Sequence, residues 1–191
     1  MSKKVLVPIA DGIEEIEAVC IIDVLRRAGA VVTVASVDNP QVTGSHNVKL
    51  TADKLISQCA DETYDLIALP GGMPGAEHLR DCKELTALLK KQNRENRFFA
   101  AICASPAVVL LHHGLLGRRR VTCLPGFVDR LSNIQAVESR VVVDGNCVTS
   151  RGPGTALEFS LKLVELLFDT EKACQTAEPM LACQPQTGEL K

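Results

Sequence analysis

The sequence predicts an α/β sandwich: a mainly parallel sheet covered by helices on both faces. Three observations predict it. Short, nearly continuous apolar runs (VLVPI, VVTVASV, LIAL, FFAAI) alternate with longer amphipathic stretches, as expected of strands buried on both sides. The chain has 191 residues, enough for one core, so one domain over 1–191 is expected. Hydrophobic residues make up 46% and charged residues 23%, which sets disorder and coiled coil aside.

Taken in order, KKVLVPI reads as a first strand. EEIEAVCIIDVLRRAG follows as a helix, with acidic residues in its first turn, Arg26 and Arg27 in its last, and Gly29 to end it. VVTVASV is β-branched and extended, and VKL at 48–50 fits a short strand. YDLIALPGG is a buried strand running into a glycine turn, and residues 76–95 fit a helix in two pieces. RFFAAI is the next strand, followed by a helix from about 105 to 113. Residues 121–140 carry no clear period. RVVVDGNCVTS predicts a hairpin turning at Asp144-Gly145, GTALEFSLKLVELLFD is a final amphipathic helix, and the tail after about 179 is expected to be loose.

Composition narrows the function. A net charge of −2 gives no general attraction to phosphate backbones, and aromatic residues for base stacking amount to 3%, so no nucleic-acid partner is expected. No apolar run approaches the roughly 20 residues of a membrane span, so no membrane partner is expected either. The N-terminal run VLVPIA is shorter than a secretion signal's core and is interrupted by Pro8, which points to the cytoplasm. The eight cysteines (Cys20, Cys59, Cys82, Cys103, Cys123, Cys147, Cys174, Cys183) form no C-x-x-C pair and no zinc spacing, so reduced thiols and no metal are expected.

In a parallel sheet, every loop leaving the carboxyl end of a strand emerges on one edge, where sites collect. Three such loops carry chemistry: ADGIEEIE, PGGMPGA and CASPA. Cys103 ends a buried strand at a sharp turn into a helix. Ala101, Ala104 and Ala107 leave that turn uncrowded, and the helix end would favour an exposed, low-pKa thiolate. Gly71 and Gly72 fit two readings: a plain tight turn, or backbone amides that join Ala104 in an oxyanion hole. Dipole complementarity suffices for Glu14 and Glu15. Glu17 differs, sitting between Ile16 and Ala18 on a very apolar helix. If it meets Cys103, both cannot ionise cheaply, and the economical state is a protonated Glu17 donating to the sulfur.

The segments GIEEIEAV, RRAG, LPGGMPGA, AAICASPA and TSRGPGTALEF resemble the ThiJ/PfpI superfamily, in its subgroup around the Parkinsonism-associated protein DJ-one. The resemblance implies a flavodoxin-like three-layer sandwich and a homodimer. It implies a nucleophile-elbow cysteine, Cys103, hydrogen-bonded to a protonated Glu17, with oxyanion amides on Gly71, Gly72 and Ala104. It also implies that Arg27 lines an anion-accepting pocket near the cysteine, with His46 where subgroup members often carry arginine. Activities that come with the resemblance are cofactor-free conversion of methylglyoxal or glyoxal to a hydroxy acid, protein deglycation, and, as a different class, redox sensing or chaperone action through cysteine oxidation. The chain departs from the superfamily in having Ala104 after the nucleophile, where many members have histidine, and Leu124 where some have another. A Cys-His dyad is therefore not expected.

The same first helix gives an independent reason to expect a second copy. From Ile16 to Leu25 all residues but Glu17 and Asp23 are apolar, a wider stripe than one sheet needs.

Overall fold

The computed structural model describes residues 2–131 and 135–182. The first strand, β1 (Lys4–Ile9), leads into helix α1 (Glu15–Arg27) and returns as β2 (Val31–Ser36), which pairs in parallel with β1. A small antiparallel pair follows, β3 (Gln41–Thr43) with β4 (Lys49–Thr51), and then the two-residue β5 (Lys54–Leu55). Next come β6 (Leu66–Leu69), α2 (Gly75–Asp81), α3 (Lys83–Arg94) and β7 (Phe98–Ile102). The second half holds the short parallel pair β8 (Arg120–Val121) and β9 (Gln135–Ala136), and the hairpin β10 (Val141–Asp144) and β11 (Cys147–Ser150). Helices α4 (Ala156–Leu167) and α5 (Thr170–Ala177) close the described chain.

The main sheet has seven strands in the order β10-β11-β7-β6-β1-β2-β5, with β10 antiparallel and the other pairs parallel. The apolar runs became its centre: Leu66, Ile67, Ala68, Leu69, Phe99, Ala100, Ala101 and Ile102 are completely buried. Crossovers from β1 step one way along the sheet and those from β6 step the other. Right-handed connections therefore put α1 and α3 on opposite faces. Helix α4 comes back to pack on α1. The direction of stepping reverses between β1 and β6, and at such a switch the carboxyl ends of strands leave room for a site.

Four local expectations change. The hairpin register pairs Asp144 with Cys147, so the turn residues are Gly145 and Asn146, with Gly145 at φ +59°; Asp144 belongs to the strand, and its carboxylate accepts from Arg120 N–H at 2.9 Å. The helix expected from about 105 to 113 is a π-helical turn, Pro106–Leu110, closed by Leu111 N–H donating to Pro106 O at 3.0 Å. Helix α5 lies in a stretch the apolar period did not mark. It is short, and its start is fixed by Asp169, whose carboxylate accepts from Lys172 N–H at 2.7 Å. Of the tail expected to be loose after about 179, Glu178–Met180 forms a 3-10 turn, and residues 183–191, with Cys183, lie outside the described residues.

Candidate active site

Strand β7 ends at Ile102, and Cys103 occupies the turn before the π-helical segment with φ +65°. A non-glycine residue held there is strained by roughly 1–3 kcal/mol and persists only where its surroundings fix it. They do. Cys103 N–H donates to Ser150 O at 3.1 Å, and Cys103 O accepts from Leu124 N–H at 2.9 Å. One strand away, the glycine loop after β6 lies directly against the turn. A Cβ placed on Gly71 would lie 2.6 Å from Cys103 Cβ, so this close approach needs glycine. Ser105, fully buried, donates from Oγ to Pro70 O at 2.6 Å across the same seam.

The third loop brings the acid. Glu14 caps α1, its Oε2 accepting from Glu17 N–H at 2.8 Å, which sets where the first turn starts. Glu17, one turn in, is fully buried and points to the sheet edge. Gly71 donates its N–H to Glu17 Oε2 at 2.7 Å. Glu17 Oε1 is buried with no hydrogen-bond partner, and the Cys103 thiol is among the groups that act on the carboxyl. Burial, helped by the negative charge of Glu14 and opposed by the Gly71 amide and the thiol, pushes the Glu17 carboxyl up to about 7.

The thiol differs from expectation. Cys103 is only 5% exposed, and burial followed by the charge of an ionised Glu17 pushes it up to about 12. Against these stand the amides of Gly72 and Ala104, both of which act on the sulfur. The reason is local: the turn is packed between two loops rather than projecting into water. Two anions do not fit here, so the pair keeps at least one proton across neutral pH. With that proton on Glu17, the repulsion is gone, Oε1–H has an acceptor, and the two amides stabilise the thiolate. With it on sulfur, Oε1 is a buried anionic oxygen lacking a second strong donor, the costlier arrangement.

The Gly72 and Ala104 amides lie close enough to favour the charged sulfur, whereas the Gly71 N–H is spent on the acid and is not open to an oxyanion. Arg27 is far from the sulfur within the chain. It ends α1, about 15 Å along the helix from Glu17, and pairs with Asp23 at 2.5 Å. His46 engages Glu15, its Nδ1 lying 3.1 Å from Glu15 Oε2. Glu15 also accepts from His46 N–H at 2.6 Å, Val48 N–H at 3.2 Å and Ser45 Oγ–H at 3.2 Å. Burial raises its pKa, but these donors win and hold the carboxyl at about 2. Glu15 is thus a tie for the 44–48 loop, more than a partner for the helix dipole. Ligand atoms of Glu14, Glu15 and His46 come within 4.8 Å of one another, but the oxygens of Glu15 are already occupied by those donors.

The sequence reading missed two residues that shape this site. Glu14 follows an E-x-x-E spacing that a capping argument could have flagged. Ser105 gave no signal, because nothing in CASPA says which way its hydroxyl turns.

The sequence and the fold that carry this site resemble those of known proteins. Residues 3–166 match the model of the DJ-1/PfpI family. The chain belongs to that family. DJ-1 homolog B of Arabidopsis thaliana is 50% identical over 98% of this chain and 43% of its own length, so the chain spans less than half of that relative. A Caenorhabditis elegans member called glutathione-independent glyoxalase DJR-1.2 is 36% identical over 94% of this chain and 95% of its own. The solved structure of oxidized Toxoplasma gondii DJ-1 superposes with a TM-score of 0.94 at 52% identity, covering 96% of this chain and all of that one. The DJ-1/PfpI family thus contains a protein called a glyoxalase, and the present chain shares its fold and nearly its full length. Among the described residues no helix is long and apolar enough to cross a membrane.

Proposed function

We propose that the chain is a cofactor-independent glyoxalase that converts methylglyoxal or glyoxal to the hydroxy acid, with action on early protein glycation adducts as an extension of the same chemistry. The observation that carries the reading is the buried Glu17–Cys103 pair flanked by the Gly72 and Ala104 amides. Cys103 thiolate attacks the aldehyde carbon, and the new C–S bond leaves an alkoxide facing those amides; Glu17 supplies its proton to give a hemithioacetal. Glu17, now a carboxylate, removes the proton from the former aldehyde carbon to give an enediol and returns it to the neighbouring carbon, while the hydroxyl proton passes from the first oxygen to the second. The product is a thioester, which water hydrolyses to lactate and the free thiol. Acid–base help of this kind is worth about 10²–10⁴-fold. Cys103→Ser should abolish lactate formation, and Glu17→Gln, which keeps the shape but cannot shuttle a proton, should lower kcat within that range. Full turnover by Glu17→Gln would remove the shuttle.

A second reading, a redox sensor, is favoured by the oxidized state of the Toxoplasma relative. In this reading, two equivalents of peroxide oxidise Cys103 of the present chain through the sulfenate to a sulfinate whose oxygen accepts from Glu17, with water as the by-product. Sulfinate forming preferentially at Cys103 under mild peroxide, with negligible methylglyoxal turnover, would select it.

Both readings need free thiols, consistent with a reducing compartment such as the cytoplasm. Both also suit a homodimer built on α1. Ile16 is 56% and Val19 45% exposed, and a second copy would cover them. Arg27 would enter an anion pocket only from that second copy. Sedimentation at twice 20.6 kDa is expected, and a monomer would dismiss the pairing.

A further inference from the structure

We infer that Ser105 is a positioning residue that sets the spacing between the two loops whose amides meet at the Cys103 sulfur; the inference rests on the glyoxalase reading for its catalytic consequence. The two amides come from different elements. Ala104 belongs to the cysteine turn and Gly72 to the glycine loop, so their separation is not fixed by local chain geometry.

The glycine loop is tied on its far side to the start of α1. Gly71 O accepts from Glu14 N–H at 2.9 Å, and Gly71 N–H donates to Glu17 at 2.7 Å. Gly72 O accepts from Ala76 N–H at 2.9 Å, which joins the loop to α2. Toward the cysteine turn, the β6–β7 ladder ends with Leu69 paired to Ala101, and beyond it the side-chain tie among the described residues is Ser105 Oγ–H donating to Pro70 O at 2.6 Å, immediately before both glycines. Ser105 itself is fully buried, so water cannot take over that role at its surface. One hydroxyl therefore couples three groups: the Gly71 amide that holds the acid, the Gly72 amide at the sulfur, and the turn that carries the sulfur.

Ser105 touches neither sulfur nor substrate. Its loss lets the seam between the loops open while leaving each loop anchored elsewhere. A shift of the order of 1 Å at a reacting centre can cost about 10²-fold. The charged groups facing the sulfur and its partner are Glu17 and, behind it, Glu14, and neither is altered by the substitution.

The test uses the full chain with Ser105→Ala and Ser105→Gly. Both lack the hydroxyl, and Gly adds no bulk should Ala disturb the packing. Ser105→Thr restores an Oγ. Two readouts are taken: kcat and KM for methylglyoxal, and the pH dependence of iodoacetamide alkylation at the Cys103 peptide. The expected result is a kcat lowered about 10–100-fold with KM within threefold, and an alkylation midpoint moved upward, in both the Ala and Gly variants, with Thr recovering most of each. A folded Ala or Gly variant with the wild-type alkylation profile overturns the proposal, as does a Thr variant as impaired as Ala. Because alkylation needs no turnover, a wild-type chain inactive on methylglyoxal would sink the glyoxalase reading while the alkylation shift still judged Ser105.

Discussion

Gly71 donates its backbone N–H to Glu17 Oε2 over 2.7 Å, so an amide expected to hold a reacting oxygen holds the acid instead. The consequence is a carboxyl fixed at one oxygen, with the other buried and unpartnered in the neighbourhood of the Cys103 thiol. Its protonation state then becomes a property of the fold as well as of the reaction.

Stability should carry the mark of that state. Glu17 sits at about 7 when folded, above the roughly 4.3 of an unfolded chain. Between those values the unfolded chain gives up the proton and the folded one keeps it. The folded pair thus keeps both of its protons while the unfolded Glu17 has lost its own, so stability is complete below about pH 4.3 and is lost as pH rises until the pair's first shared ionisation near 7, by up to about 3–4 kcal/mol. Urea unfolding of Glu17→Gln, which cannot ionise, should run parallel to the wild type below about pH 3.5 and gain on it by about 1–3 kcal/mol by pH 8. Parallel stability curves across that window would mean that Glu17 ionises freely in the fold.

Glu15 should behave in the opposite sense. Its carboxyl is held at about 2, so its contribution is present above about 4.3 and is lost as pH falls through about 2. Glu15→Gln should destabilise the chain by about 1–3 kcal/mol at neutral pH and free the 44–48 loop, read as faster amide exchange at His46 and Val48. Unchanged exchange there would show that the loop holds without the carboxylate.

Much of this was legible in the sequence because its signals are local. The apolar runs fixed the central strands, and Cys103 between an apolar run and a proline marked a turn at a strand end. Glu17 stood out as an acid on an apolar helix, and its carboxyl accepts from Gly71, in the glycine loop that packs against the cysteine turn. What stayed hidden depends on side-chain direction or on contacts across the chain. Whether the Gly71 amide serves the acid or an oxyanion is decided by a partner fifty-four residues away. His46 looked like a pocket residue but turns to Glu15, and Arg27 is carried to the far end of α1 by helix rise alone. The burial of Cys103 follows from how closely two loops pack, which no single segment encodes.

The central claim is that the pair's single proton rests on Glu17 and leaves sulfur anionic. The most direct measurement is the rate of Cys103 alkylation against pH, read on its own peptide, in the wild type and in Glu17→Leu. The account predicts a wild-type midpoint well below the value of about 12 that burial and an ionised Glu17 impose on the thiol, raised by about one unit or more when the donating acid is removed. A wild-type midpoint in the alkaline range that falls in Glu17→Leu would contradict it, because then Glu17 would be the anion and the sulfur would hold the proton.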